Sequence, residues 1–111
     1  MAKVEYWENG SGRSPVLDFI CDQKREPEVQ DRLLRQIDKL EGFGINVINR
    51  KELSSMGNGL FEIKIIFKNS YYRIFFGLKK GIIWLLHGIK KKSNKTPKRD
   101  LDLARKRLSD I

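Results

Sequence analysis

A single cysteine, Cys21, and a single histidine, His87, stand in a chain of 111 residues. One thiol has no partner within the chain, so an internal disulfide is excluded. One imidazole, one thiol and no carboxylates at ligand spacing give no metal site, and no cofactor motif is present. Long apolar runs are also missing. The longest, IIWLLHGI, falls far short of the roughly 20 residues that a membrane-spanning helix needs. The opening MAKVEYWENG carries no apolar secretory segment, so no membrane association is expected and the cytoplasm is the expected compartment.

Acidic residues are scarce in one half only. Residues 1–59 hold nine Lys/Arg and ten Asp/Glu, whereas residues 60–111 hold fourteen and four. The whole +9 surplus therefore sits in the second half. Such asymmetry favours a polyanionic partner such as nucleic acid over a membrane surface, because the last helix has no broad apolar face. With 40% hydrophobic and 33% charged residues, the chain reads as one globular domain over residues 1–111.

Residues 3–8 alternate as a short strand. Ser14 can cap a helix whose first position is Pro15 and which runs to about Arg25, with Leu17, Ile20 and Cys21 inward. Pro27 opens a second helix, in which Val29, Leu33, Ile37 and Leu40 follow helical spacing and Gly42 or Gly44 ends the run. Together they predict a helical hairpin. Residues 44–59 read as an irregular connector. LFEIKIIFK, YYRIFFGL and IIWLLHGI then predict a three-stranded antiparallel meander, with Asn69-Ser70 and Lys79-Lys80-Gly81 as turns. Near Pro97 a last helix begins, with Leu101, Ala104 and Leu108 on one side. The expected class is α+β: an N-terminal helical hairpin on a mainly antiparallel sheet, followed by a C-terminal helix.

A turn at Asn69-Ser70 would set Lys64 opposite Phe75 and Ile66 opposite Arg73, with Lys64 and Arg73 as diagonal neighbours. Alternation then gives one apolar face, from Phe61, Ile63, Ile65, Phe67, Tyr72, Ile74, Phe76 and Leu78. The opposite face carries Glu62, Lys64, Arg73, Tyr71 and Phe75 as a basic patch with aromatic residues between the charges. His87 is open at this level: a two-residue Lys80-Gly81 turn puts it on the apolar face beside Ile74, and a three-residue turn puts it opposite Arg73. Beyond Ile89 come Lys90, Lys91, Lys92, Lys95, Lys98 and Arg99, placed to close a cationic hollow beside the sheet.

The order helix, helix, GLFEIKI, YYRIFF and LLHGIKKKSNKTPKRDLDLARKRL resembles the RelE/ParE toxin superfamily, and within it the phage-derived HigB-like branch. The likeness is strongest from Gly59 to Leu108. It implies a microbial RNase-like α+β fold and a toxin of a type II toxin–antitoxin pair. It also implies a ribosome-dependent, metal-independent messenger RNA endonuclease, whose partner is a helix-turn-helix, HigA-like antitoxin. Matched by motif, the family's site falls on Lys64 and Arg73, with Lys90, Lys91 and Lys92 beyond the last strand. The C-terminal tyrosine of some RelE members has no counterpart, since the last tyrosine is Tyr72. Proton abstraction would then fall to a lysine, His87 or Glu62.

In the chemistry so implied, Arg73 grips phosphate with its planar fork, Lys64 serves as acid or base, and Lys90 and Lys91 stabilise developing charge. Lys92, Lys95, Lys98 and Arg99 would hold the RNA backbone. Two alternatives belong to other classes: a ParE-like inhibitor of DNA gyrase, and a non-catalytic RNA- or ribosome-binding protein.

Overall fold

Three glycine- or asparagine-bearing dipeptides set the architecture. The computed structural model describes residues 2–44 and 51–111. Asn58-Gly59, Lys68-Asn69 and Lys80-Gly81 all have positive φ at both positions, between 48° and 80°. Each therefore closes a two-residue turn whose twist matches that of the flanking strands. They link β2 (Leu53–Gly57), β3 (Leu60–Phe67), β4 (Ser70–Lys79) and β5 (Ile82–Lys91) into an antiparallel meander. The first strand, β1 (Lys3–Tyr6), adds in parallel to β5, so the sheet order is β1-β5-β4-β3-β2.

Part of the expected connector is thus a strand: residues 53–57 form β2, while residues 45–50 lie outside the described residues. Its single-sequence signal was weak because Leu53-Ser-Ser-Met-Gly carries little β-branched or aromatic character, and pairing with β3 supplies the stability instead.

The helices pack on both faces. Helix α1 (Pro15–Asp22) starts at Ser14, whose hydroxyl accepts the Leu17 amide at 3.2 Å. It ends three residues before the expected Arg25. Val16 and Ile20, four apart, are its buried residues, whereas Leu17 and Cys21 face solvent, correcting the expected inward set. Helix α2 (Pro27–Phe43) buries Val29, Leu33, Ile37 and Leu40 as their spacing predicts, and Gly44 caps it at φ 81°. These two helices cover one sheet face through Ile63, Ile65, Tyr72, Ile74, Phe76, Ile83 and Leu85.

Helix α3 (Lys98–Ser109) covers the other face, where Ala104, Leu101 and Leu108 meet Leu60, Phe75, Leu86 and Ile89. The face expected to be an open basic patch is therefore half core. Phe75 is fully buried there, and charge survives only toward the end of the sheet next to Tyr71. Among the described residues, no helix is long and apolar enough to cross a membrane.

Two register details place the site. Because the first hairpin turns at Lys68-Asn69 rather than Asn69-Ser70, Phe67 pairs with Ser70 and Lys64 pairs directly with Arg73. The shift is two residues, so each side chain keeps its predicted face while every partner changes. In the second hairpin the turn is the two-residue Lys80-Gly81, with Lys79 paired to Ile82. A bulge between Phe75 and Phe76 then inserts Leu86, and His87 pairs with Phe75. That extra residue carries His87 to the α3 face, although the turn alone would have sent it to the other.

Candidate functional site

The site is built on an ion pair that solvent does not reach. Arg73 is wholly buried and Glu62 is 3% exposed, and Arg73 Nε lies 3.4 Å from Glu62 Oε2. Nε makes no hydrogen bond, so this contact is one of charge alone. The rest of the guanidinium fork is directed at the chain beyond β5. Nη1 donates to the Ser93 carbonyl at 3.2 Å, and Nη2 donates to the Asn94 carbonyl. Glu62 holds the same segment from its other end, accepting the Thr96 hydroxyl at 2.8 Å. Residues 93–96 are thus clamped onto the sheet by both members of a buried pair, an arrangement that fixes geometry more surely than it adds stability.

Above this clamp the surface is cationic and aromatic. Lys64 is half-buried and donates to Asn94 Oδ1 at 2.6 Å. Its ammonium lies 5.6 Å from the centre of the Tyr71 ring, and the Arg73 guanidinium lies 5.4 Å from the same ring. Tyr71 therefore bridges the two cations by charge–quadrupole attraction. Lys91 pairs with Tyr71 on β5 and leaves the same face of the sheet.

The lysine run divides. Lys90 points to the opposite face, with its ammonium 5.5 Å above the Tyr72 ring in the helical-hairpin core. Alternation along β5 separates it from Lys64 and Arg73, although adjacent sequence had grouped it with Lys91. Lys92 and Lys95 are exposed, and Lys98 is held by Asp102 at 2.7 Å within the first turns of α3. Arg99 is exposed and lines a hollow of about 550 Å³ together with Lys91, Asp100 and Leu103.

His87 is fully engaged. Nε2 lies 2.8 Å from Asp100 Oδ1, Nδ1 lies 3.4 Å from an Arg107 nitrogen, and the ring stacks on Phe75 at 5.9 Å. Arg107 in turn donates to the Leu86 carbonyl at 2.8 Å and sits 4.6 Å over the Trp7 ring. A neutral imidazole that donates from Nε2 and accepts at Nδ1 satisfies this geometry. Burial pushes its pKa below the usual histidine value, with Arg107 acting in the same direction and Asp100 opposing. The side chain joins α3 to β5.

Sequence reasoning missed Asn94, Thr96 and Asp100. Each is an ordinary loop or cap residue until the 93–96 segment is folded against β3 and β4. Glu62, a candidate proton acceptor by sequence, has its carboxylate buried and occupied by Arg73 and Thr96. Among the described residues, no group of three His, Cys, Asp or Glu is placed to hold a metal ion.

A five-stranded mixed sheet with helices on both faces, and a cationic surface anchored by a buried guanidinium–carboxylate pair, defines an α+β protein with an electropositive site at one sheet end. Residues 23–109 match the phage-derived Gp49-like proteins (DUF891), and the chain belongs to that toxin-like family. Neither the curated proteins nor the solved structures compared with it give a match.

Proposed function

We propose that this protein is the toxin of a type II toxin–antitoxin pair, of the RelE superfamily and its HigB-like branch. Its activity is that of a ribosome-dependent messenger RNA endonuclease in the cytoplasm, restrained by a helix-turn-helix, HigA-like antitoxin. One observation carries the reading: Lys64 and Arg73 lie directly opposite one another on adjacent strands, on the face that the cationic 91–99 segment closes. A phosphodiester lying across Tyr71 would meet the Lys64 and Lys91 ammonium groups, while an unstacked base could rest on the ring.

In cleavage, the 2′-hydroxyl passes its proton to solvent water, its oxygen forms a bond to the adjacent phosphorus, and the bond from phosphorus to the 5′-oxygen breaks. Lys64 neutralises the charge that builds on the non-bridging oxygens and is placed to protonate the departing 5′-oxygen. Arg73 acts from beneath, holding Asn94 and Tyr71 in position, because its own fork is occupied by two carbonyls.

Primer extension on messages after brief induction tests this reading. New 5′ ends within translated regions are the expected result, and growth arrest without them would overturn it. One feature favours a second reading, a non-catalytic RNA- or ribosome-binding protein. Glu62 and His87, the two groups best suited to take a proton, are both occupied by structural partners. Translation arrest with intact messages would support that alternative. DNA breaks on induction would instead point to the gyrase-inhibiting relatives.

A further inference from the structure

The hollow beside α3 holds an unusual balance of charge. Its four lining residues are Lys91, Arg99, Asp100 and Leu103. Neither Lys91 nor Arg99 forms an ion pair among the described residues, even with the carboxylate that lines the same hollow. Asp100 is fixed by one oxygen only, Oδ1, on His87 Nε2 at 2.8 Å. Oδ2 has no protein donor among the described residues, and the side chain is 18% exposed. Leu103 adds apolar surface, being 37% exposed. The hollow therefore offers two free cations, one oriented acceptor and one apolar wall in about 550 Å³.

We infer that this hollow is a nucleobase subsite and that Asp100 makes it selective for guanine. The inference rests on the RNA-binding reading above and supplies its base preference. An ionised carboxylate only accepts hydrogen bonds. Guanine alone presents two neighbouring donors on its pairing edge, the ring N–H and the exocyclic amine. Adenine and cytosine set a ring-nitrogen lone pair beside their amine, and uracil flanks its single N–H with two carbonyls. Each of those lone pairs faces the carboxylate unfavourably. The base stacks on Leu103 while Lys91 and Arg99 take the phosphate or the guanine carbonyl oxygen, in keeping with how proteins read unstacked bases. His87 is then a positioning residue, since its bond to Oδ1 orients the carboxylate toward the hollow.

The test uses the full chain and four mononucleotides, GMP, AMP, CMP and UMP, titrated separately while backbone amide shifts are followed by NMR. GMP should bind about tenfold tighter than the other three, a difference in keeping with one good base contact. Its shifts should centre on residues 91 and 99–103. Asp100→Asn keeps an oxygen to accept the His87 N–H but turns the free position from acceptor to donor, so the guanine preference should vanish while the fold is retained. Arg99→Ala, at an exposed helix position, should weaken all four nucleotides in parallel. Equal affinity for the four, a preference that survives in Asp100→Asn, or shifts centred elsewhere would each overturn the assignment. If primer extension shows no cleavage but the guanine preference stands, the subsite is supported and the nuclease reading alone falls.

Discussion

Arg73 and Glu62 meet at 3.4 Å beneath the site, both almost wholly buried, and each also grips the segment that runs over them. The pair links sheet geometry to site geometry: whatever shifts it also moves Asn94, and with it the hydrogen bond that steadies Lys64.

Removing one partner should be far worse than removing both. Arg73→Ala leaves the buried Glu62 carboxylate without its cation and the 93–94 segment without its two anchoring hydrogen bonds, and should cost about 3–5 kcal/mol. Arg73→Met with Glu62→Leu should recover much of that loss. Urea unfolding of the single and double variants checks this, and a double variant less stable than Arg73→Ala would refute it. The residue expected to be an exposed phosphate ligand is thereby a structural anchor, and its loss cannot be read as a purely catalytic defect.

Lys90 and Lys91 are neighbours in sequence but point to opposite faces of β5. Binding to single-stranded RNA should therefore respond to Lys64→Ala and Lys91→Ala, each lowering the slope of log affinity against log salt by roughly 0.7 per lost phosphate contact. Lys90→Ala should leave the slope unchanged. Fluorescence anisotropy across a salt series measures both, and a Lys90 effect equal to that of Lys91 would contradict the face assignment.

Gly88 has no room for a side chain. A Cβ there would lie 2.4 Å from Phe19 Cδ2, 2.6 Å from Cγ and 3.1 Å from Cβ, close to the root of the side chain rather than its flexible end. Gly88→Ala should lift α1 from the sheet at a cost of about 1–3 kcal/mol. Gly77→Ala meets only the flexible end of Leu108, at 2.6 Å, and should cost less. Thermal melts rank the two, and the reverse order would show that α1, not α3, adapts more readily.

The pH dependence follows from His87, whose pKa is lowered in the fold chiefly by burial. The unfolded chain takes up this proton near pH 6.5, before the folded one does. Folded stability should therefore hold above about pH 6.5 and fall as the pH drops below it, until the folded imidazole also protonates. His87→Gln should lack that component. Urea midpoints for both proteins between pH 7.5 and pH 5, about the range in which histidine titrates, give the comparison. Parallel curves would show that His87 does not titrate differently on folding.

Face assignments were legible in the sequence because the side-chain period of a strand survives any even error in register. The Lys68-Asn69 turn moved every partner of β3 by two, yet Lys64 and Arg73 stayed together. Helix α2 was likewise readable from Val29, Leu33, Ile37 and Leu40, a periodic set with no competing pattern. What could not be read depended on the third dimension. Lys68 at φ 48° shows no turn signature, since lysine seldom adopts that conformation. Nor does the motif announce that Arg73 would be buried by Ser93 and Asn94, twenty residues away. In α1, Leu17 and Val16 are both apolar, and only the docking angle of the helix decides which one faces inward.

The bulge at Leu86 has a consequence for how this surface changes over generations. Deleting that residue's codon would straighten the strand yet leave Lys90 opposite Tyr72 and Lys91 opposite Tyr71, because every residue after the bulge keeps its partner on β4. Closing the bulge with all residues kept would instead slide the strand by one, bringing Lys90 to Tyr71 and turning Lys91 toward the helical hairpin. A frame-preserving loss of three nucleotides at this one position is thus absorbed without exchanging the two lysines between the cationic side and the packing side.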